Sequence, residues 1–286
     1  MRFVDIKFSE REARPGGIIS GVVVVDTDKT FGCNRVVLKI KGKEKTELGS
    51  GDSKITDEVI LVNRRITLCE TLEVPCGRSE FPFTFTLEEG LPPTYSGYSG
   101  WIEYSVEAVV EMNWTLDPKM TRRFRVLPIY PDYIPELDGY NPVNKDEDKL
   151  HIELQSDILR INKGIPVRFM VEEHSRVNGV RLELRRSESV MCANSKSTHD
   201  DTLKRKFIPL SSEDFHCWQE EIVGEGWRRV PLKSKLIATT YFLKVVLEMR
   251  WELDPFVNIP VRISGEKSDE DADDIFDSIA YDLGFD

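Results

Sequence analysis

The chain has 286 residues, 40% of them hydrophobic, and a formal net charge of −11. That length suits two domains of ordinary size, each able to bury a core without staples. The charge gives no support for nucleic-acid binding: residues 266–286 hold nine acids against the single base Lys267 and carry −8, leaving −3 for residues 1–265.

Hydrophobic runs are short and interrupted by charge, so no segment is predicted to span a bilayer. The opening Met1-Arg2-Phe3-Val4-Asp5 lacks the apolar stretch of a signal peptide, which predicts a cytosolic protein. Cys33, Cys69, Cys76, Cys192 and Cys217 are an odd, scattered set and read as reduced thiols. A Cys69–Cys76 bridge would run against that compartment.

Pro15-Gly16-Gly17 marks a turn before the strand that ends at Val25. Val36, Leu38 and Ile40 then alternate with Val37 and Lys39, up to the break at Gly49-Ser50-Gly51. Phe81, Phe83, Phe85 and Leu87 take every second position before Gly90-Leu91-Pro92-Pro93. The same period runs through Ile102, Tyr104, Val106, Ala108, Val110, Met112 and Trp114. A strand sends alternate side chains to opposite faces, so these runs bury one face and wet the other. One-sided burial predicts antiparallel sheets packed face to face, an all-β fold. No long segment keeps a helical period. Ser211 to Ile222 reads either as a helix, with Ser211 as cap and Asp214 three residues on, or as a strand.

The chain also repeats itself. Tyr104 to Pro118 recurs as Tyr241 to Pro255, with eight of fifteen positions identical at an offset of 137. Arg35 to Glu44 is echoed by Gly179 to Glu188, and Gly17 to Val25 by Gly164 to Glu172, in the same order. This is a tandem duplication of one sandwich rather than a solenoid. Two tandem antiparallel β-sandwiches of immunoglobulin-like architecture are expected at residues 1–127 and 149–264. Between them, residues 128–148 carry Pro128, Pro131, Pro135 and Pro142 and read as a linker. Residues 265–286 form an acidic tail.

Arg14-Pro15-Gly16-Gly17-Ile18 through Val25 resembles the opening of the arrestin family. Leu38 to Thr46 resembles the strand that follows there. Phe81 to Leu87, Leu91-Pro92-Pro93-Thr94-Tyr95 and Gly100 to Ala108 are similar to the strongest signature of the amino-terminal arrestin domain. Thr239 to Val245 looks like the matching carboxy-terminal strand. The resemblance covers residues 3–264 and is nearest the arrestin-domain-containing branch. It implies a non-enzymatic cytoplasmic adaptor, with a peripheral place at membranes. Such an adaptor binds cytoplasmic tails of membrane proteins, or other trafficking proteins, in sorting or signalling. A subunit of a retromer-like or coat-like complex is the alternative.

Pro92-Pro93-Thr94-Tyr95 spells a WW-domain ligand, but the family places a turn between strands here. A tyrosine packed into a core cannot also fill a partner's groove, so the turn is the expected role. Asp26 lies where arrestins carry an aspartate of a buried polar core. With no base in the tail after Lys267, Arg125 is its candidate partner; otherwise Asp26 is a solvated turn residue, the reading that fits better. In the tail, Ile275, Phe276, Ile279, Tyr281, Leu283 and Phe285 alternate with acids, which suits a docking motif. Arg181, Arg185, Arg186, Lys204, Arg205, Lys206, Arg228 and Arg229 form a basic group. It reads equally as a solvated face and as a site for acidic tails, anionic membrane or the protein's own acidic tail.

Catalysis finds little support. Cys192, His199, His216 and Cys217 match no zinc spacing, and there is no nucleophile elbow or phosphate loop. A metal-dependent enzyme is the distant alternative, and no cofactor is expected.

Overall fold

The computed structural model describes residues 2–113, 116–129, 143–147, 150–154, 157–160, 165–171, 176–210, 217–222 and 232–264. Apart from one 3-10 turn at Gly51–Ser53, every regular element among them is a strand. The chain divides into two compact units. Unit 1 comprises Met1–Ile129, Ser187–Asp200 and Val230–Thr239, and unit 2 comprises Tyr130–Arg186, Asp201–Arg229 and Thr240–Asp286. The expected linker lies outside the described residues over 130–142, as does the whole acidic tail with its docking motif.

In unit 1, β1 (Arg2–Glu10), β3 (Ile18–Thr27) and β6 (Gly77–Thr86) form one antiparallel sheet in the order β1-β3-β6. A second sheet runs β2 (Glu12–Ala13), β9 (Lys119–Val126), β8 (Gly100–Glu111), β4 (Phe31–Leu48), β5 (Ile55–Val74), with the short β7 (Tyr95–Ser96) paired to β8. Alternation explains the layering. Val4, Ile6, Val23, Val25, Phe83 and Phe85 from the first sheet meet Val36, Leu38, Ile40, Val106, Ala108 and Phe124 from the second in one core. Phe85 closes the layer edge-on against Phe124, with ring centroids 5.8 Å apart. The opposite face of β4 is wet and charged, with Lys41 on Glu107 at 3.0 Å and Arg35 on Glu111 at 3.2 Å.

In unit 2, β10 (Val143–Glu147), β11 (Leu150–Leu154), β13 (Ile165–Val171) and β16 (Cys217–Ile222) form a four-stranded antiparallel sheet. The other sheet is ordered β12 (Ile158–Arg160), β18 (Phe256–Ser264), β17 (Ile237–Met249), β14 (Val177–Cys192), β15 (Ser195–Pro209). Leu150, Ile152, Val167 and Phe169 pack with Leu182, Leu184, Leu243, Val245 and Ile259 to make its core. The open choice at residues 211–222 resolves to a strand over Cys217–Ile222, and residues 211–216 lie outside the described set. Strands β14, β15 and β17 each have one end in unit 1, at Ser187–Cys192, Ser195–Asp200 and Ile237–Thr239.

The duplication reappears as identical turn chemistry. Met112 N–H donates to Asp117 Oδ1 and Met249 N–H to Asp254 Oδ1, both at 2.8 Å. Val110 N–H donates to Pro118 O and Leu247 N–H to Pro255 O, both at 3.0 Å. Trp114 lies outside the described residues. Trp251, its counterpart in the repeat, sits beyond the end of β17, 98% exposed, with φ at +131°. Leu116 and Leu253 are equally exposed at the tips of their turns.

Candidate functional site

The polar centre of unit 1 follows from strand parity. On β4 the inward positions Val36, Leu38 and Ile40 continue as Gly42, Glu44 and Thr46, all buried. Gly42 is required because a Cβ there would stand 2.6 Å from the Tyr104 ring. On β14 the inward positions Leu182 and Leu184 continue past Arg186 to Glu188, Val190 and Cys192. Glu44 is 0% exposed and Glu188 1% exposed.

Each carboxylate is held by backbone donors of a turn that precedes a long strand. Glu188 Oε1 accepts the Ser99 N–H at 2.7 Å, and its Oε2 accepts the Tyr95 hydroxyl at 2.6 Å and the Tyr98 N–H at 3.1 Å. Glu44 Oε1 accepts the Leu236 N–H at 2.9 Å and the Ser234 hydroxyl. Thr46 ties the two arms together by donating its hydroxyl to Met191 O at 2.7 Å. Among the described residues no lysine, arginine or histidine pairs with either glutamate. Charge-assisted hydrogen bonds to N–H and O–H groups therefore replace ion pairing as what offsets their burial. Tyr104 lies beneath, donating its hydroxyl to Pro92 O at 2.6 Å; burial and the Glu44 carboxylate together push its phenol well above the usual tyrosine range.

The Pro92-Pro93-Thr94-Tyr95 segment is built into this centre. Tyr95 is 5% exposed, and Thr94 exchanges hydrogen bonds with Val126. Its neighbour Tyr98 is exposed and stacks on His199, with centroids 3.8 Å apart.

The residues singled out for binding sit elsewhere. Asp26 is exposed at the end of β3, and Arg125 pairs with Glu12 at 3.1 Å. In unit 2, Glu183 forms ion pairs with Arg181, at 2.9 Å from its Nε, and with Arg205, at 3.0 Å from its Nε, and Arg181 also meets Glu248. Arg186 contacts Asp201 at 2.5 Å, and Arg185 lies over the Phe242 ring. These pairings take up much of the charge that an acidic partner would need. Lys204 and Lys206 are exposed, while Arg228 and Arg229 fall outside the described residues. Cys33, Cys69, Cys76 and Cys192 are in no disulfide. Among the described residues no helix is long and apolar enough to cross a membrane, and no cluster of three His, Cys, Asp or Glu side chains is placed to hold a metal ion.

The comparisons agree with the architecture of unit 1. The model of the arrestin (or S-antigen) N-terminal domain matches residues 4–131. Over those residues the chain is similar to the arrestin family. Arrestin domain-containing protein 17 of Caenorhabditis elegans is 26% identical over 131 residues, covering 40% of this chain and 31% of that protein. The chain therefore spans about a third of the relative's length in the match. The match supports an arrestin-like adaptor role in general.

The Glu44–Glu188 pair escaped the sequence reading, although the echo of Arg35–Glu44 in Gly179–Glu188 aligns the two residues. The signal was available in the parity: both glutamates fall in phase with the buried leucines of their strands.

Proposed function

We propose that this protein is an arrestin-like, non-enzymatic adaptor that binds cytoplasmic parts of membrane proteins in sorting or signalling, at the cytoplasmic side of membranes. The observation that carries the reading is the arrestin N-terminal sandwich over residues 4–131. Fold supplies the scaffold, and sites on it supply the partner contacts. The surfaces that suit such contacts are the apolar turn tips at Leu116, Trp251 and Leu253, which no core requires. We assign a second role to the acidic tail, as an intramolecular ligand tethered to the same chain at high effective concentration. Arg181, Arg186 and Arg205 already have carboxylate partners, so the basic counterpart is sought at exposed groups such as Lys204.

The test is affinity capture with the full chain and with residues 1–264, followed by mass spectrometry and direct binding of the recovered proteins' cytoplasmic tails. The adaptor reading expects several membrane proteins whose isolated tails bind. A single soluble partner in fixed stoichiometry would replace it with the coat-subunit reading.

A further inference from the structure

The two turns that embrace Glu44 and Glu188 are the same turn, duplicated. At the offset of 137, Tyr95, Gly97, Ser99 and Gly100 correspond to Leu232, Ser234, Leu236 and Ile237. Gly97 N–H donates to Gly100 O at 2.8 Å, and Ser234 N–H donates to Ile237 O at 2.9 Å. Ser99 N–H donates to Glu188, and Leu236 N–H to Glu44. Even the strand contact repeats, with Glu47 N–H on Ser99 O and Met191 N–H on Leu236 O. Each repeat thus sends a glutamate into the other repeat's turn, and all the participating segments belong to unit 1.

The symmetry breaks at one point. Tyr95 brings a hydroxyl to Glu188 Oε2, whereas Leu232 in the corresponding place has none to offer. Gly97 lets Glu188 press against its turn, since a Cβ there would fall 1.4 Å from Oε2, and the Tyr98 N–H joins in. Ser234 instead fills that space and turns its hydroxyl to Glu44 Oε1. As a result both oxygens of Glu188 are satisfied, while Glu44 Oε2 is buried with no hydrogen-bond partner among the described residues.

We propose that this reciprocal clasp is a releasable joint that opens first at Glu44. Opening the Glu188 half strips three donors from a carboxylate. Opening the Glu44 half surrenders two, and returns to water an oxygen that had none. The piece that leaves is preassembled: Leu232 and Thr239 exchange hydrogen bonds, and Ser234 closes onto Ile237. Residues 232–239 therefore leave as one hydrogen-bonded strap, at the cost of the Met191 N–H contact on Leu236 O and of the burial of Leu232 and Ile237.

Hydrogen exchange on the full chain tests the order. Amides in 234–237 should exchange at least tenfold faster than those in 97–101. Tyr95→Phe, which removes the distinguishing hydroxyl, should raise exchange in 97–101 at least threefold and leave 234–237 within twofold of wild type. Equal protection of the two turns in the wild type overturns the proposal. So does faster exchange at 97–101, or a Tyr95→Phe variant with no change there.

Discussion

Glu44 and Glu188 occupy corresponding positions in the two repeats, and each accepts a backbone hydrogen bond from the turn of the other: Leu236 N–H at 2.9 Å and Ser99 N–H at 2.7 Å. A buried carboxylate usually answers to a cation. Among the described residues N–H and hydroxyl groups serve instead, which gives the joint geometric direction, since such hydrogen bonds weaken steeply with distance and angle.

Tyr95 and Glu188 should therefore be coupled. Tyr95→Phe is expected to cost about 2 kcal/mol, as for a hydrogen bond to a charged group. In a cycle with Glu188→Gln the two changes should fall short of additivity by about 1–2 kcal/mol. Urea denaturation at neutral pH measures both. Full additivity would mean that the 2.6 Å contact adds nothing to stability.

Trp251 is expected to be dispensable for folding. It is 98% exposed with φ at +131°, where glycine is favoured. Trp251→Gly should leave the melting temperature unchanged or raise it, and Leu253→Ser should shift stability by no more than about 0.5 kcal/mol. Binding to membrane-protein tails or vesicles should weaken in both. A clear loss of stability would show that the turn packs against something essential.

The wet face carries a pH signature. The Lys41 ammonium hydrogen-bonds Glu107, and against a smaller opposing effect of burial this holds the carboxyl below its ordinary value of 4.5. A carboxyl with a depressed folded value stabilises the protein above its unfolded value, and that stabilisation is lost as pH falls through the folded one. Lys41→Met should move the Glu107 midpoint upward in a carbon-detected NMR titration. An unchanged midpoint would assign the shift to another group.

Glu183 is predicted to restrain the basic face of unit 2. It is buried between Arg181 and Arg205, so Glu183→Gln should cost about 1–3 kcal/mol and take its carboxylate from Arg205, while Arg181 keeps Glu248. Cosedimentation with phosphatidylserine vesicles at low salt should increase. Unaltered cosedimentation would place any anionic contact away from this face.

The sheets were legible because period two is a direct consequence of pleating: Leu38, Ile40, Phe83 and Phe85 alternate in sequence and are buried in space. The duplication was legible as well, down to the shared turn at Asp117 and Asp254. The clasp was not, because its bonds join residues 89 to 192 positions apart and no local pattern encodes them. Glu183 sits on the face of β14 opposite Leu182 and Leu184 and is buried all the same, because Arg181 and, from the neighbouring β15, Arg205 cover it, an effect that one strand's alternation cannot carry. Trp251 continued an apolar series that ends where β17 ends, at Met249. A turn residue beyond the sheet no longer follows its parity.

The adaptor role is tested most directly by binding of the purified full chain to cytoplasmic-tail peptides displayed on supported bilayers, compared with the same bilayers lacking peptide. The account predicts saturable, peptide-dependent binding that Trp251→Gly weakens while the fold is kept. Binding that is absent for every membrane-protein tail recovered with the protein, or indifferent to the peptide, would contradict it.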